Sequence, residues 1–478
     1  MPSPAALAAS ESAKPYSPRV EYAATLARHT GVVNVVRFSP SGELLASAGD
    51  DGNVLFWVRS DSARPSFGES ASTEPDKHFE KEVWRVRLMV RASAQELYDM
   101  AWSPDGRLLA VGGTDFTTRI INVADGTVAK SISDHQHYVQ GVAWDPRNQF
   151  LATESSDRSV CMYDLQRGSI TALDPHLASR QSRMDMTQGC VRPNAQADGR
   201  VQAPRLAQHP SLGPTTRLDN LHARPAAPGT PAQRLYGDDR YSSFFRRLSF
   251  SPDGAFLATP TGQFLQYNAE GKPDVMASAV YLHARGNFRR ACAPIAALPG
   301  HKTATVAVRF SPILYHLRVP KRSPCGTEKN AASCPAKEAE KSHDSHISMF
   351  ALPYRMVYAV ATHESVWIYD TQQSGPLCCF SNLHYASFTD LSWSPDGQIL
   401  MMSSSDGYCS VAVFDYNELG EPIAHAEQPA LKETRSEAFT TIPAAPEPTQ
   451  PEPVQGGTQA LPSKKRRVAL TFEGPLPP

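Results

Sequence analysis

The chain lacks almost every device by which a sequence announces an enzyme, a metal centre or a membrane span. Its eight cysteines are Cys161, Cys190, Cys292, Cys325, Cys334, Cys378, Cys379 and Cys409. None forms a C-x-x-C pair, which argues against zinc or a disulfide framework and for reduced thiols inside a cell. No window is apolar for long enough to cross a bilayer, so no membrane partner is expected. The start, MPSPAALAASESAKPYSP, has no apolar segment behind a basic one, so no secretory signal is expected either. Charge of neither sign dominates: 47 Lys and Arg stand against 48 Asp and Glu, a net charge of −1. That balance argues against direct, phosphate-driven binding to DNA. The chain holds no G-x-x-x-x-G-K-[ST] loop, no G-x-S-x-G elbow and no H-E-x-x-H helix. Gly300-His301-Lys302-Thr303 has the end of a phosphate loop without its upstream glycine. His343-Asp344-Ser345-His346 lies in a polar insertion, where solvated histidines are the rule. No catalytic, cofactor-binding or metal-ligating residue is expected.

What is present is repetition. An aromatic residue followed by Ser-Pro or Asp-Pro, usually then a tight turn and an apolar strand, recurs six times. The copies begin at Phe38 (FSPSGELLASAGDDGNVLFW), Trp102 (WSPDGRLLAVGGTDFTTRII), Trp144 (WDPRNQFLATESSDRSVCMYD), Phe250 (FSPDGAFLATP), Phe310 (FSPILYHL) and Trp393 (WSPDGQILMMSSSDGYCSVAVF). In the first copy, strands are expected at residues 33–38, 44–47 and 54–57, joined by turns at 39–42 and 49–52. A meander this small cannot cover both its faces, and stacking copies radially does so. The expected fold class is all-β, a β-propeller with six recognisable blades.

The phrase D-x-[TSN]-V-x-x-W resembles the WD-repeat signature. Asp51, Asp115 and Asp157 stand six residues before Trp57, Ile121 and Tyr163, and His363 takes that place before Tyr369. These aspartates are expected to hold turns rather than do chemistry. His29 follows Arg28 where such repeats usually show Gly-His.

The domain layout expected is a disordered leader at 1–20 and a propeller at 21–420. Insertions at 60–80, 171–235 and 319–347 are expected to leave one rim as loops, since they are polar and show no strand alternation. Residues 421–478 are expected to be a disordered tail rich in Pro and Glu.

Less generic segments carry a closer resemblance. EYAATLARHTGVVNVVRFSPSGELLASAGDD (21–51), HQHYVQGVAWDP (135–146), YSSFFRRLSFSPDGAFLATP (241–260), LPYRMVYAVATHESVWIYDTQQSGP (352–376) and LHYASFTDLSWSPDGQILMMSSSDGYCSVAVFDYNELGEP (383–422) are similar to the WD-repeat middle subunit of chromatin assembly factor 1. That resemblance implies a nuclear, non-catalytic scaffold in a complex that deposits histones H3–H4 on newly replicated DNA. The implied partners are a large acidic subunit, a small WD-repeat histone-binding subunit and an anti-silencing family histone chaperone. The chain has no long Asp/Glu run of its own to shield histones. The family resembles a seven-bladed ring, with a complete blade before the Leu26-Ala27-Arg28-His29-Thr30 phrase. Here a short Pro- and Ala-rich leader precedes it, so either a gapped ring or a strained six-blade closure is expected, in a chain with a poor substitute blade or a truncated one.

Two candidate sites follow. In the tail, Lys464, Lys465, Arg466, Arg467, Val468, Leu470 and Phe472 resemble the segment with which this family engages the anti-silencing chaperone. Arg466, Arg467 and Val468 match it, whereas Leu470 stands where proline is usual and Phe472 where an aliphatic residue is usual. Nuclear import, or a merely solvated charge run, would also account for 464–467. In the propeller, Phe244, Phe245, Arg246 and Arg247 read either as a strand with one buried face or as an aromatic-plus-arginine docking surface. Two adjacent arginines cannot both lie in an apolar core. An enzyme would need a polar cluster in the central channel, and none is evident. The alternatives in view are the replication-independent histone-deposition subunit, which shares the Arg-Arg motif, and a WD-repeat substrate receptor of a ubiquitin ligase.

Overall fold

The computed structural model of the protein describes residues 21–60, 81–165, 175–184, 216–217, 233–237, 244–267, 273–290, 294–318 and 350–423. These residues form a six-bladed β-propeller with no α-helix among them; one 3-10 turn spans Arg285–Asn287.

Blade 1 is β1 (Val33–Phe38), β2 (Leu44–Gly49), β3 (Asn53–Ser60) and β4 (Val83–Arg91). Blade 2 is β5 (Leu97–Trp102), β6 (Leu108–Gly113), β7 (Thr118–Asn122) and β8 (Val128–Ile132). Blade 3 is β9 (Val139–Trp144), β10 (Phe150–Ser155), β11 (Ser159–Asp164) and β12 (His176–Gln181). A small pair, β13 (Arg183–Met184) with β15 (Gln233–Arg234), follows it, and β14 (Thr216–Arg217) adds to the rim of blade 4. Blade 4 proper is β16 (Ser249–Phe250), β17 (Phe256–Tyr267), β18 (Pro273–Ala284) and β19 (Ala296–His301). Blade 5 is β20 (Thr305–Tyr315), β21 (Arg355–Thr362), β22 (Ser365–Asp370) and β23 (Cys378–Ser381). Blade 6 has three strands, β24 (Phe388–Trp393), β25 (Ile399–Ser404) and β26 (Cys409–Val413). All neighbouring strands within the blades pair antiparallel.

The recurring Ser-Pro phrase makes the same turn in blades 1, 2, 4 and 6. Ser39, Ser103, Ser251 and Ser394 each accept, at Oγ, the backbone N–H five residues on, at 2.9–3.1 Å. The fourth residue after the aromatic is Gly42, Gly106, Gly254 or Gly397, all with φ near +70°, a conformation that costs glycine little. In blade 3 Asn148 takes this place at φ 56°, and its side chain accepts the Trp144 indole N–H at 2.7 Å.

Two expectations need correcting. The Phe310 copy makes no turn: Ser311-Pro312 lies inside the single strand β20, as a bulge between Phe310 and Leu314. The proline has no N–H to lose and a bulge leaves that position unpaired. The stretch 171–235, expected as pure loop, supplies β12, the outer strand of blade 3. The leader 1–20 and nearly all of 60–80, 319–347 and 421–478 lie outside the described residues.

Adjacent blades share apolar clusters. Val35, Phe56, Leu97 and Met100 join blades 1 and 2. Ile120, Val142 and Tyr163 join blades 2 and 3; Phe150, Phe250 and Tyr281 join 3 and 4. Phe256, Val308 and Tyr358 join 4 and 5; Ile368, Phe388 and Leu400 join 5 and 6. Among the described residues no such cluster joins blade 6 to blade 1. Instead the free face of blade 1 packs Leu45, Leu55 and Trp57 under Leu26. Val36 and Phe38 on that side of β1 are 46% and 58% exposed, and Met401, on the opposing face of blade 6, is 46% exposed. Among the described residues the seam between blades 6 and 1 therefore lacks the apolar packing of the other junctions, and the two blades meet there through paired charges at the axis.

Candidate functional site

The repeat aspartates hold turns. Asp51 accepts the Thr30 and Asn53 amides at 3.1 Å and pairs with His29 Nδ1 at 2.9 Å. His29 Nε2 meets Ser47 Oγ at 2.7 Å, and that oxygen also accepts the Trp57 indole N–H at 2.8 Å. His135, Asp157 and Thr153 repeat the arrangement in blade 3, at 2.9 and 2.7 Å. Blade 6 repeats it with His384, Asp406 and Ser410, at 3.0 and 2.9 Å, and Asp406 was missed from sequence. In blade 2 no histidine is present, and Asp115 binds Arg119 and Ser93 instead, at 2.6 and 2.8 Å. His363 contacts Ser387 Oγ at 2.9 Å.

Burial opposes a charge on His135. The Asp157 carboxylate and the Cys161 sulfur outweigh it and raise the imidazole to about 9. Burial likewise opposes the Asp157 charge, and the same imidazole then holds that carboxyl well below its ordinary range. A histidine whose folded value lies above its unfolded value of about 6.5 stabilises fully below pH 6.5. The advantage of the wild type over His135→Gln should therefore fade as pH rises from about 6.5 to 9, by on the order of 1–3 kcal/mol. Urea titrations of both proteins at pH 6 and pH 9 check this; an advantage that grows with pH would contradict it.

The Phe244–Arg247 segment is not the arginine surface considered from sequence. Arg246 and Arg247 are both fully buried. Phe244 alone is strongly exposed, at 71%, while the Phe245 ring lies under the Arg247 guanidinium at 4.3 Å. The arginines fit because the channel they enter is polar. The Arg246 main chain runs so close to β9 that a Cβ on Gly141 would meet its carbonyl oxygen at 1.8 Å. Its guanidinium donates to the carbonyls of Gly237 and Ser155, at 2.7 and 3.2 Å. Glu154 is buried nearby with neither carboxyl oxygen hydrogen-bonded, and burial pushes it well above the usual carboxylate range.

Arg247 occupies the centre of the channel. It donates to Asn34 O of blade 1 at 2.6 Å, to Tyr98 O and Asp99 of blade 2 at 3.2 and 2.7 Å, and to Thr389 O of blade 6 at 3.0 Å. Its backbone exchanges two hydrogen bonds with Val306 and Val308 of blade 5. Around it, Arg37 pairs with Asp390 at 2.6 Å and Asp99 at 3.3 Å, and Arg309 pairs with Asp390 at 3.3 Å. Burial works against the Asp390 charge, but Arg247, Arg37 and Arg309 together hold its carboxyl well below the usual range. This polar cluster, absent from the sequence reading, consists of side chains that mutually pair. It contains no nucleophile beside a base, so it fits a tie between blades better than a reaction centre.

The tail residues Lys464, Lys465, Arg466, Arg467, Val468, Leu470 and Phe472 lie outside the described residues.

Comparison with known proteins places the fold. The family model described as the CAF1B/HIR1 beta-propeller domain matches residues 9–188 and 219–419. The B subunit of chromatin assembly factor 1 from Mus musculus is 37% identical over 413 residues, 86% of this chain and 60% of that protein. The protein of the same name from Schizosaccharomyces pombe is 34% identical over 496 aligned positions, 95% of this chain and 89% of that one. Protein HIR1 of Eremothecium gossypii is 25% identical over 84% of this chain and 39% of its own length. The chain thus spans about 60% of the length of the mouse relative. On a family match across both halves of the ring, and on relatives above 30% identity, the chain belongs to the CAF1B/HIR1 β-propeller family.

Proposed function

We propose that the chain is a non-catalytic scaffold subunit of a nuclear histone chaperone complex that deposits H3–H4 during replication-coupled nucleosome assembly. The observation that carries this reading is the similarity to the B subunit of chromatin assembly factor 1 across the whole propeller, at 31–37% identity in four relatives. HIR1 proteins match at 25–27%, which favours the replication-coupled role over the replication-independent one. A propeller whose channel is lined by paired charges fits a scaffold that presents rims, faces and its channel mouth to partners. The partners proposed are the large acidic subunit, the small WD-repeat histone-binding subunit and an anti-silencing family chaperone. The last would take the 464–472 segment as an added strand. Val468, Leu470 and Phe472 would fill one side and Arg466 and Arg467 would pair with carboxylates.

Affinity purification of the full chain from replicating cells, read by mass spectrometry, tests the reading. Co-purification of all three partners is expected. Recovery of cullin adaptors in their place would establish the ubiquitin-ligase alternative.

A further inference from the structure

The channel cluster is not electrically balanced. Arg37, Arg247 and Arg309 supply three positive charges, and Asp99 and Asp390 supply two negative ones. The surplus sits at one end. On the side of the Ser-Pro turns the channel opens into a cavity of about 260 Å³. Arg37 and Arg309 are its charged walls, and the small side chains of Ala101, Ala143 and Ser249 leave the space open. Both aspartates are set back from this lining. Arg309 donates one N–H to Leu248 O at 3.0 Å and another to Asp390 at 3.3 Å. A guanidinium carries five such donors, so capacity remains for a further acceptor. Burial, with Arg37 and Arg247 close by, pulls Arg309 down to about 10, as expected of a cation short of a counter-charge.

The cavity is small. Pockets for drug-sized ligands or nucleotides run to roughly 300–1,000 Å³. The space suits one side chain, and the surplus of one charge suits a monoanion rather than a doubly charged phosphate. Beyond the arginines, Trp102, Trp144 and Phe250 supply a large apolar wall beside the hydroxyls of Ser249 and Ser251. Such a wall strengthens any ion pair made inside it.

We propose that this channel mouth binds a single carboxylate, presented by a glutamate or aspartate side chain of an acidic peptide segment of a partner protein. The carboxylate sits between the Arg37 and Arg309 guanidiniums and neutralises the cluster. Arg37 and Arg309 would do so in any complex the chain joins, so failure of partner recovery from cells and failure of this site are separate results.

The test is a titration of the full purified chain with a capped pentapeptide of Gly and Ser around one central Glu, against its Gln counterpart. Tryptophan fluorescence is the readout, because Trp102 and Trp144 line the cavity. The Glu peptide is expected to bind at least about tenfold more tightly than the Gln peptide, the scale of one charge-assisted contact. Arg309→Gln should weaken the Glu peptide by a similar factor. Ala101→Glu serves if that variant does not fold. It sets a carboxylate on the cavity wall, and should abolish the peptide response and raise the melting temperature. Equal binding of the two peptides, or an unchanged Glu response in both variants, would overturn the proposal. So would tighter binding of inorganic phosphate than of the Glu peptide.

Discussion

Replacing Arg247 by alanine is expected to cost about 3–5 kcal/mol of stability, the scale for removing one partner of a buried charge pair. Asp99 is fully buried and would lose the guanidinium that meets it at 2.7 Å, keeping only the Arg37 ion pair at 3.3 Å. The carbonyls of Asn34, Tyr98 and Thr389 would lose a donor in the same step. Three blades besides its own are held through this one side chain, so the loss should lower the cooperativity of unfolding as well as its midpoint. Lysine should restore little, since a point charge cannot reach acceptors spread across a planar fork. Urea denaturation followed by tryptophan fluorescence and by circular dichroism measures both quantities. An unfolding free energy within about 0.5 kcal/mol of wild type, the range of ordinary surface substitutions, would show that the channel does not tie the blades together.

The second large effect concerns the tail. Changing Arg466 and Arg467 together to alanine, with an unrelated import signal attached to keep localisation constant, is expected to weaken capture of the anti-silencing chaperone. Two charge-assisted hydrogen bonds at about 1.5 kcal/mol each correspond to roughly a hundredfold in affinity. Leu470→Pro should act in the opposite direction and modestly, because a proline ring restricts the backbone more than a leucine does. Pull-down from nuclear extract, followed by titration of the purified pair, reads both. Unchanged capture by the double variant would leave nuclear import, or a merely solvated charge run, as the account of 464–467.

Much of this fold is readable from the chain because the repeat is built from local rules. Ser-Pro followed by glycine sets a turn wherever it occurs, and the positive φ at Gly42, Gly106, Gly254 and Gly397 is the reason for those glycines. The Asp-to-aromatic spacing located the turn pins at Asp51 and Asp157 for the same reason. The failures share an opposite cause. Ser311-Pro312 carries the turn letters without the glycine, and its strand runs straight through. His176–Gln181 shows no apolar alternation, yet pairs as a rim strand because β11 offers it a complete row of backbone groups. The channel cluster draws its charges from five blades, and Arg247 and Asp99 are 148 residues apart. No periodicity in one repeat marks such a site; only closing the chain around an axis brings its members together. The same geometry explains Arg246 and Arg247. Their unfitness for an apolar core was legible, but not the presence of a polar interior to receive them.

The seam has a mechanical consequence. A washer cut through at one point can be sprung apart without tearing its metal. Among the described residues, blades 6 and 1 meet at the axis through Arg37 with Asp390 and through the Arg247 bridge from Asn34 to Thr389, and through no greasy surface farther out. Widening the bore at that cut therefore separates Arg37 from Asp390 and breaks the bridge that Arg247 makes between Asn34 and Thr389. It strips nothing from an oily core among the described residues, whereas any of the other five junctions would have to be peeled. The ring's diameter is thus set at this seam by a few polar contacts at the axis, and acid strong enough to discharge Asp390 would loosen it there first.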